Sequence, residues 1–160
     1  MTNNQESIKP WQISPDLPPG VFKALRKPEK AINPITIVST VDEDGSPRTA
    51  PFGSLRAITP RLLRFACLRD HITYDNLCRD TRLMVAFLAP PTVAVGIRGK
   101  ARVVKEKMQA DHRTALIEVD VEEVKNDLIF RGTIDSGIEI NIPESHIGWY
   151  LALVDEVEKP

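Results

Sequence analysis

The segment Gly96-Ile97-Arg98-Gly99-Lys100-Ala101 carries the Gly-Lys pair of a phosphate-cradling loop. That loop also needs a glycine where this chain has Ala94 and a hydroxyl residue where it has Ala101, so a nucleoside triphosphatase is rejected. Asp42-Glu43-Asp44-Gly45 opens like a calcium loop but lacks the remaining oxygen ligands, and a hairpin turn explains it. His71, His112 and His146 are scattered, with no HExxH motif and no close pair, so no metal site is expected. Cys67 and Cys78 lie too far apart for a CxxC pair and are too few for a disulfide framework, which leaves two reduced thiols. No Gly-x-Ser-x-Gly elbow gives positive support to a serine hydrolase.

The chain that must position these groups has 160 residues, 42% of them apolar and 27% charged, enough to bury one core. Its 21 basic and 22 acidic residues leave a net charge of −1, without the cationic surplus that nucleic acid or an anionic membrane requires. Neither is expected as a partner. The opening Met1 to Glu6 lacks the basic and apolar regions of a signal peptide, and no apolar run is long enough for a membrane span. A cytoplasmic location is the expectation.

Six of the 13 prolines precede Ile35 and mark residues 1–34 as an arm, with Val21, Phe22, Ala24 and Leu25 forming one short helix. Residues 35–160 read as a mainly β body closed by a C-terminal helix. Ile35 to Val41 is a strand, Asp42 to Gly45 its turn, and Ser46 to Leu55 the return, which Pro47 and Pro51 confine to an edge or a bulge. Arg61 to Leu68 is the next strand. Leu83 to Leu88, continuously apolar, reads as a strand covered on both sides. Thr92 to Val104 alternates cleanly, with Val93, Val95, Ile97, Gly99, Ala101 and Val103 on one face. Ala115 to Glu122 alternates with an acidic outer face. Between strands, Asp70 to Asp80 reads as a short helix capped by Asp70 or Thr73. Ile147, Tyr150, Leu151 and Val154 mark the final helix, with Pro143 near its start.

The order of these pieces carries more than any one of them. A strand and its Asp-Glu-Asp-Gly turn precede Ser46-Pro47-Arg48-Thr49-Ala50-Pro51-Phe52-Gly53. Phe65-Ala66-Cys67 then leads into a helix carrying Thr73-Tyr74-Asp75-Asn76-Leu77-Cys78-Arg79-Asp80, and Gly99-Lys100-Ala101-Arg102-Val103-Val104 follows. From about Ile35 to Glu106 this resembles the FMN-binding split-barrel family typified by pyridoxamine 5′-phosphate oxidase. The resemblance implies a mainly β fold, a small antiparallel split β-barrel with a few short helices. It also implies a homodimer that binds its ligand at the subunit interface.

Such a cofactor needs an anion receptor, an apolar slot for its rings and hydrogen-bond partners at the ring edge. The resemblance places Arg48 and Thr49 on the phosphate-binding strand, and the backbone of Ala66 and Cys67 along the rings. His71, Ile72, Thr73 and Asn76 fall at the helix start, where amide and hydroxyl groups meet phosphate, and Lys100 supplies charge, with Arg102 beside it. His71 could also give a proton or hydrogen bond to the flavin edge. No catalytic residue is assigned. Where the oxidase carries an Arg-Lys pair this chain has Ile72 and Thr73, and Gly53 and Ala94 replace a lysine and a glutamine. The expectation is therefore a divergent member rather than the oxidase itself. In one reading it is an FMN-dependent oxidoreductase acting on a small organic substrate, with a reduced nicotinamide or deazaflavin as donor. The alternative is a non-catalytic module binding flavin, haem, deazaflavin or another planar ligand, and a third reading is a structural protein that has lost its cofactor.

Overall fold

A computed structural model describes residues 12–128 and 132–159; Pro10 and the opening Met1 to Glu6 lie outside the described residues. In chain order the elements are β1 (Ile13–Ser14), α1 (Pro19–Arg26), β2 (Thr36–Val41), β3 (Pro47–Phe52), β4 (Arg56–Thr59), β5 (Leu62–Leu68), α2 (Ile72–Arg79), β6 (Arg82–Ala89), β7 (Val93–Lys105), β8 (Thr114–Asn126) and α3 (Glu144–Glu158). The strands form one antiparallel sheet in the order β3-β2-β6-β7-β8-β5-β4, with β1 added on β8. This is the mainly β, split-barrel architecture expected from the sequence.

Local chemistry explains most boundaries. Gly45 turns the β2–β3 hairpin at φ 87°, a conformation that L residues with a Cβ resist. β3 lies at the sheet edge, and its Pro47 and Pro51 stand opposite Val41 and Ile37. The inward faces of β5 to β8 bring Leu63, Phe65, Val85, Phe87, Ile97, Ile117 and Val119 together with Leu25 of α1 and Leu77 of α2. Burying each large apolar side chain contributes about 1.5–3 kcal/mol. α3 closes a second, smaller cluster, laying Leu153 and Val157 on Ala66, Met108 and Leu116. Among the described residues no helix is long and apolar enough to cross a membrane.

Three details differ from the sequence reading. β4 is an additional short strand, pairing with β5 where only a connection was expected. α2 is capped by His71 rather than Asp70 or Thr73. β6 is covered on one side only within the chain: Leu83, Val85, Phe87 and Ala89 point inward, while Met84 and Leu88 remain 41% and 40% exposed. An uninterrupted apolar run does not reveal whether its second cover comes from the same chain.

The long β7–β8 pair shifts register between Arg98 and Gly99. A Cβ at Gly99 would stand 2.5 Å from Asp120 O and 2.7 Å from Val119 Cγ1, so backbone contact, and not turn geometry, fixes glycine here. Gly99→Ala is expected to cost about 1–3 kcal/mol, the range for forcing an extra methyl into packed surroundings. Urea unfolding of the variant with an unchanged midpoint would contradict this close approach.

Candidate functional site

Where β3 runs out, Pro51, Phe52, Gly53 and Ser54 face Ala66 and Leu68 of β5 across a groove of about 260 Å³. Ser54 ties the two sides together: its hydroxyl accepts from Ala66 N–H at 3.0 Å and donates to Ala66 O at 3.4 Å. His71 enters the groove from the start of α2, and Trp149, Tyr150 and Leu153 cover it from α3. The Phe52 ring stands edge-on to His71 at 5.9 Å and to Phe65 at 4.9 Å. The lining is thus aromatic and aliphatic, with few polar groups.

His71 Nδ1 accepts from Thr73 N–H at 3.2 Å, which in a neutral ring leaves the proton on Nε2. Tyr74 N–H and Asp75 N–H both donate to His71 O. Those three amides therefore have acceptors inside the first turn, and Thr73 itself is buried. This departs from the expectation that the Thr73 amide is free for phosphate; the histidine side chain has taken its place. Ile72 remains exposed on the far side of the turn.

That far side opens on a second cleft, lined by Asp42, Asp44, Arg48, Ile72, Asn76 and Arg79 among others. Arg48 Nε lies 2.8 and 2.9 Å from the two Asp42 carboxylate oxygens. Asn76 Nδ2 donates to the same carboxylate at 2.8 Å and to Thr40 Oγ1 at 3.0 Å. The Arg48 and Asn76 hydrogen bonds hold the Asp42 carboxyl below its ordinary range. This network clips α2 onto β2. It occupies Arg48 only through Nε, and among the described residues the terminal nitrogens of its guanidinium have no side-chain partner.

The remaining expected residues scatter. Thr49 is exposed on β3 opposite Ser39. Cys67 turns its side chain into the barrel core, where burial pushes the thiol up to about 12, and it does not line the groove. Lys100 lines a different cleft, beside Thr40, Pro47 and Met84, and pairs with Glu122 at 3.5 Å. Arg102 is held by Asp120 and by Glu118, the latter at 2.7 Å. Within one chain, therefore, Ala66 and His71 share the groove, Arg48, Ile72 and Asn76 share the neighbouring cleft, and Lys100 belongs to neither.

The sequence reading did not place Tyr150 in the groove. This side chain is only 9% exposed, and its hydroxyl has no hydrogen-bond partner among the described residues. Burial pushes it up to about 12, with Arg56 pulling the other way. A Cβ on Gly53 would overlap that hydroxyl. Two carboxylates fasten α3 in this position. Asp111 accepts from Trp149 Nε1 at 2.8 Å, while Glu156 accepts from the Gln109 and Ala110 amides, each at 2.8 Å.

A family model described as pyridoxamine 5′-phosphate oxidase matches residues 27–127. The chain belongs to the pyridoxamine 5′-phosphate oxidase family. Nothing among the curated proteins matches it. Three solved structures share its fold. A candidate pyridoxamine 5′-phosphate oxidase from Lactobacillus delbrueckii is 20% identical over 71% of this chain and 98% of its own, with a TM-score of 0.55. The Group A Streptococcus protein HupZ is 19% identical over 63% and 89%, at 0.52. An F420 reductase is 16% identical over 69% and 100%, at 0.55. The oxidase-family match begins after α1 and ends after β8. The groove floor is thus built by the family body, while its cover, Trp149 and Tyr150 on α3, lies beyond the matched residues.

Two outcomes follow from this geometry. Gly53→Ala should cost about 1–3 kcal/mol by driving a methyl against Tyr150, and Tyr150→Phe should recover part of that loss while being near neutral alone, since the removed hydroxyl is unpaired. Denaturation of the two single variants and the double variant measures the coupling, and strictly additive losses would count against the contact. Acid should also loosen α3. Arg113 and Trp149 hold Asp111 well below the carboxylate range; burial works to raise Glu156, but the two amides and Lys105 bring it below. Depressed carboxylates stabilise fully above their unfolded values, about 4, and that stability is lost as pH falls through the lowered folded values. In a Trp11→Phe background, Trp149 emission should shift in that window, and Asp111→Ala should shrink the step to the part that Glu156 contributes.

Proposed function

We propose that the chain is a flavin-binding, oxidoreductase-like member of its family that holds FMN as a homodimer in the cytoplasm. The observation carrying this reading is the aromatic groove with one unpaired buried hydroxyl, placed where β3, β5 and the start of α2 converge. A planar apolar ring system fits the lining of Phe52, Ala66 and Leu68. The Tyr150 hydroxyl and His71 Nε2 offer it edge contacts. Arg48 retains its terminal nitrogens for a phosphate in the adjoining cleft, reached past Ile72. Bound there, FMN would supply electron or hydride transfer to a small organic partner. The protein's part is to position the rings, exclude water with α3 and present a polar edge.

Dimerisation is supported by size and by surface. A groove of about 260 Å³ falls short of the roughly 300–1,000 Å³ of complete small-molecule sites, so a second copy would complete it. The outward face of β6, with Met84, Ala86 and Leu88, offers an apolar surface for that copy. Lys100, remote from the groove of its own chain, would then be available to the partner. Both thiols are free, as a reducing compartment requires. One observation favours the alternative of a binding module for flavin, haem or another planar ligand: Asp42, Glu43, Asp44 and Asp75 crowd the phosphate cleft and weaken it for a dianion.

The visible spectrum of the freshly purified protein, with mass spectrometry of what heat releases, separates these readings. A flavin spectrum bleached by a nicotinamide donor is expected, and a flavin or haem that resists reduction would favour the binding module. Arg48→Ala should weaken FMN about tenfold, as loss of a charge-assisted contact does. A colourless dimer that FMN titration leaves colourless would overturn the proposal.

A further inference from the structure

The end of α1, β4 and the end of α3 enclose a cleft of about 410 Å³. Its charged lining is Arg26, Lys27, Arg56 and Lys159 against Glu29 and Glu158, a surplus of two cations. Arg56 is fully buried. Its terminal nitrogens donate to the Ala31, Arg26 and Pro28 carbonyls, the last two at 3.3 and 3.4 Å. Its Nε, however, has no hydrogen-bond partner among the described residues, although Glu158 Oε1 is 3.2 Å away, because the oxygen is not in line to accept. A buried, incompletely paired guanidinium is costly, so it marks a place where an acceptor is missing.

Beside it, Lys27 is only 7% exposed and makes no salt bridge among the described residues. Its Nζ donates to Ile32 O at 2.9 Å and Gly53 O at 3.2 Å, leaving one N–H to spare. Burial and the neighbouring Arg56 bring this ammonium down to about 7. Backbone at Lys27 and Lys30 adopts φ of 59° and 60°, a left-handed conformation unusual for lysine. Strain of that kind persists where surrounding structure enforces it, and it gathers at ligand sites.

We propose that this cleft binds a phosphate group, free or as a monoester, through the spare Lys27 N–H and the rim cations Arg26 and Lys159, with the anion displacing the poorly aligned Glu158 carboxylate from Arg56 Nε. A phosphate carries close to two negative charges near neutral pH, matching the surplus once Lys27 is protonated, and guanidinium suits its oxygens. The cleft adjoins the flavin groove, because Lys27 Nζ donates to Gly53 O and Gly53 lines that groove, but the two share no lining residue and phosphate binding here does not rest on flavin binding. Binding is coupled to protons. Lys27 faces Arg26 and Glu29 of its own segment, Arg56 of β4, Glu158 of α3 and Lys159 just after it, with Tyr150 next to Gly53. The bound anion restores the ammonium, so above its free value of about 7 each binding event takes up a proton.

Calorimetric titration of the full chain with inorganic phosphate, and in parallel with glycerol phosphate, tests the site. One saturable site is expected, weakening about tenfold between pH 7 and 8.5, with proton uptake read from the dependence on buffer. Lys27→Met should weaken binding at least tenfold and flatten the pH dependence. Because that variant alters a buried position, the exposed pair Arg26→Ala with Lys159→Ala provides a second measure and should weaken binding several-fold. Preference between the two probes tells free phosphate from a monoester. No saturable binding, or binding equally strong in both variants, would overturn the proposal.

Discussion

The antiparallel pairing of β7 with β8 is the constraint from which the molecule is assembled. Each strand is thirteen residues long, and the ladder between them runs from Val95 opposite Asn126 to Lys105 opposite Leu116. β7 carries β6, and through it the β2–β3 hairpin; β8 carries β5, β4 and the short β1. Even α3 depends on this pair, because the Gln109 and Ala110 amides and Asp111 that fasten it lie between β7 and β8. The Gly99 bulge therefore matters beyond its own contacts: it sets the register in which every other strand is hung.

Much of this was legible in the sequence where side chains obey a period. The alternation of Val93 to Val103 and of Ala115 to Val121 named both strands and their inward faces, and Pro47 and Pro51 marked β3 as an edge. What failed did so for physical reasons. Helix capping depends on backbone geometry that spacing does not encode, so the cap that His71 supplies was assigned to Asp70 or Thr73. β4 has four residues, too few to show a pattern. Tyr150 was readable as part of a buried helix face, but nothing in the sequence says which strand that face will cover. Lys27 and Arg56 were invisible because charged residues are by default exposed.

The candidate site shows the same division. Arg48, Ala66, His71 and Asn76 were found by their order along the chain, and order holds them near one another around the start of α2. Their hydrogen bonds follow from the hairpin, which brings Asp42 back beside Arg48 and turns a free cation into half of an ion pair. An anion arriving there meets a guanidinium already partly neutralised, and it must compete with Asp42 for it. Departure from the oxidase pattern is thus written in the partners of retained residues as much as in the residues replaced.

The prolines of β3 have a consequence for how copies of this chain can meet. An open sheet edge is a template for adding another strand, and such addition runs on without limit into aggregates. Pro47 and Pro51 sit in a regular ladder with β2 although neither has an N–H to give it, so their nitrogens face the open edge. Of the donors a flat edge would offer there, only Thr49 between them remains. A strand approaching from outside finds carbonyls with few amides in return, so this edge is closed to strand addition by another copy.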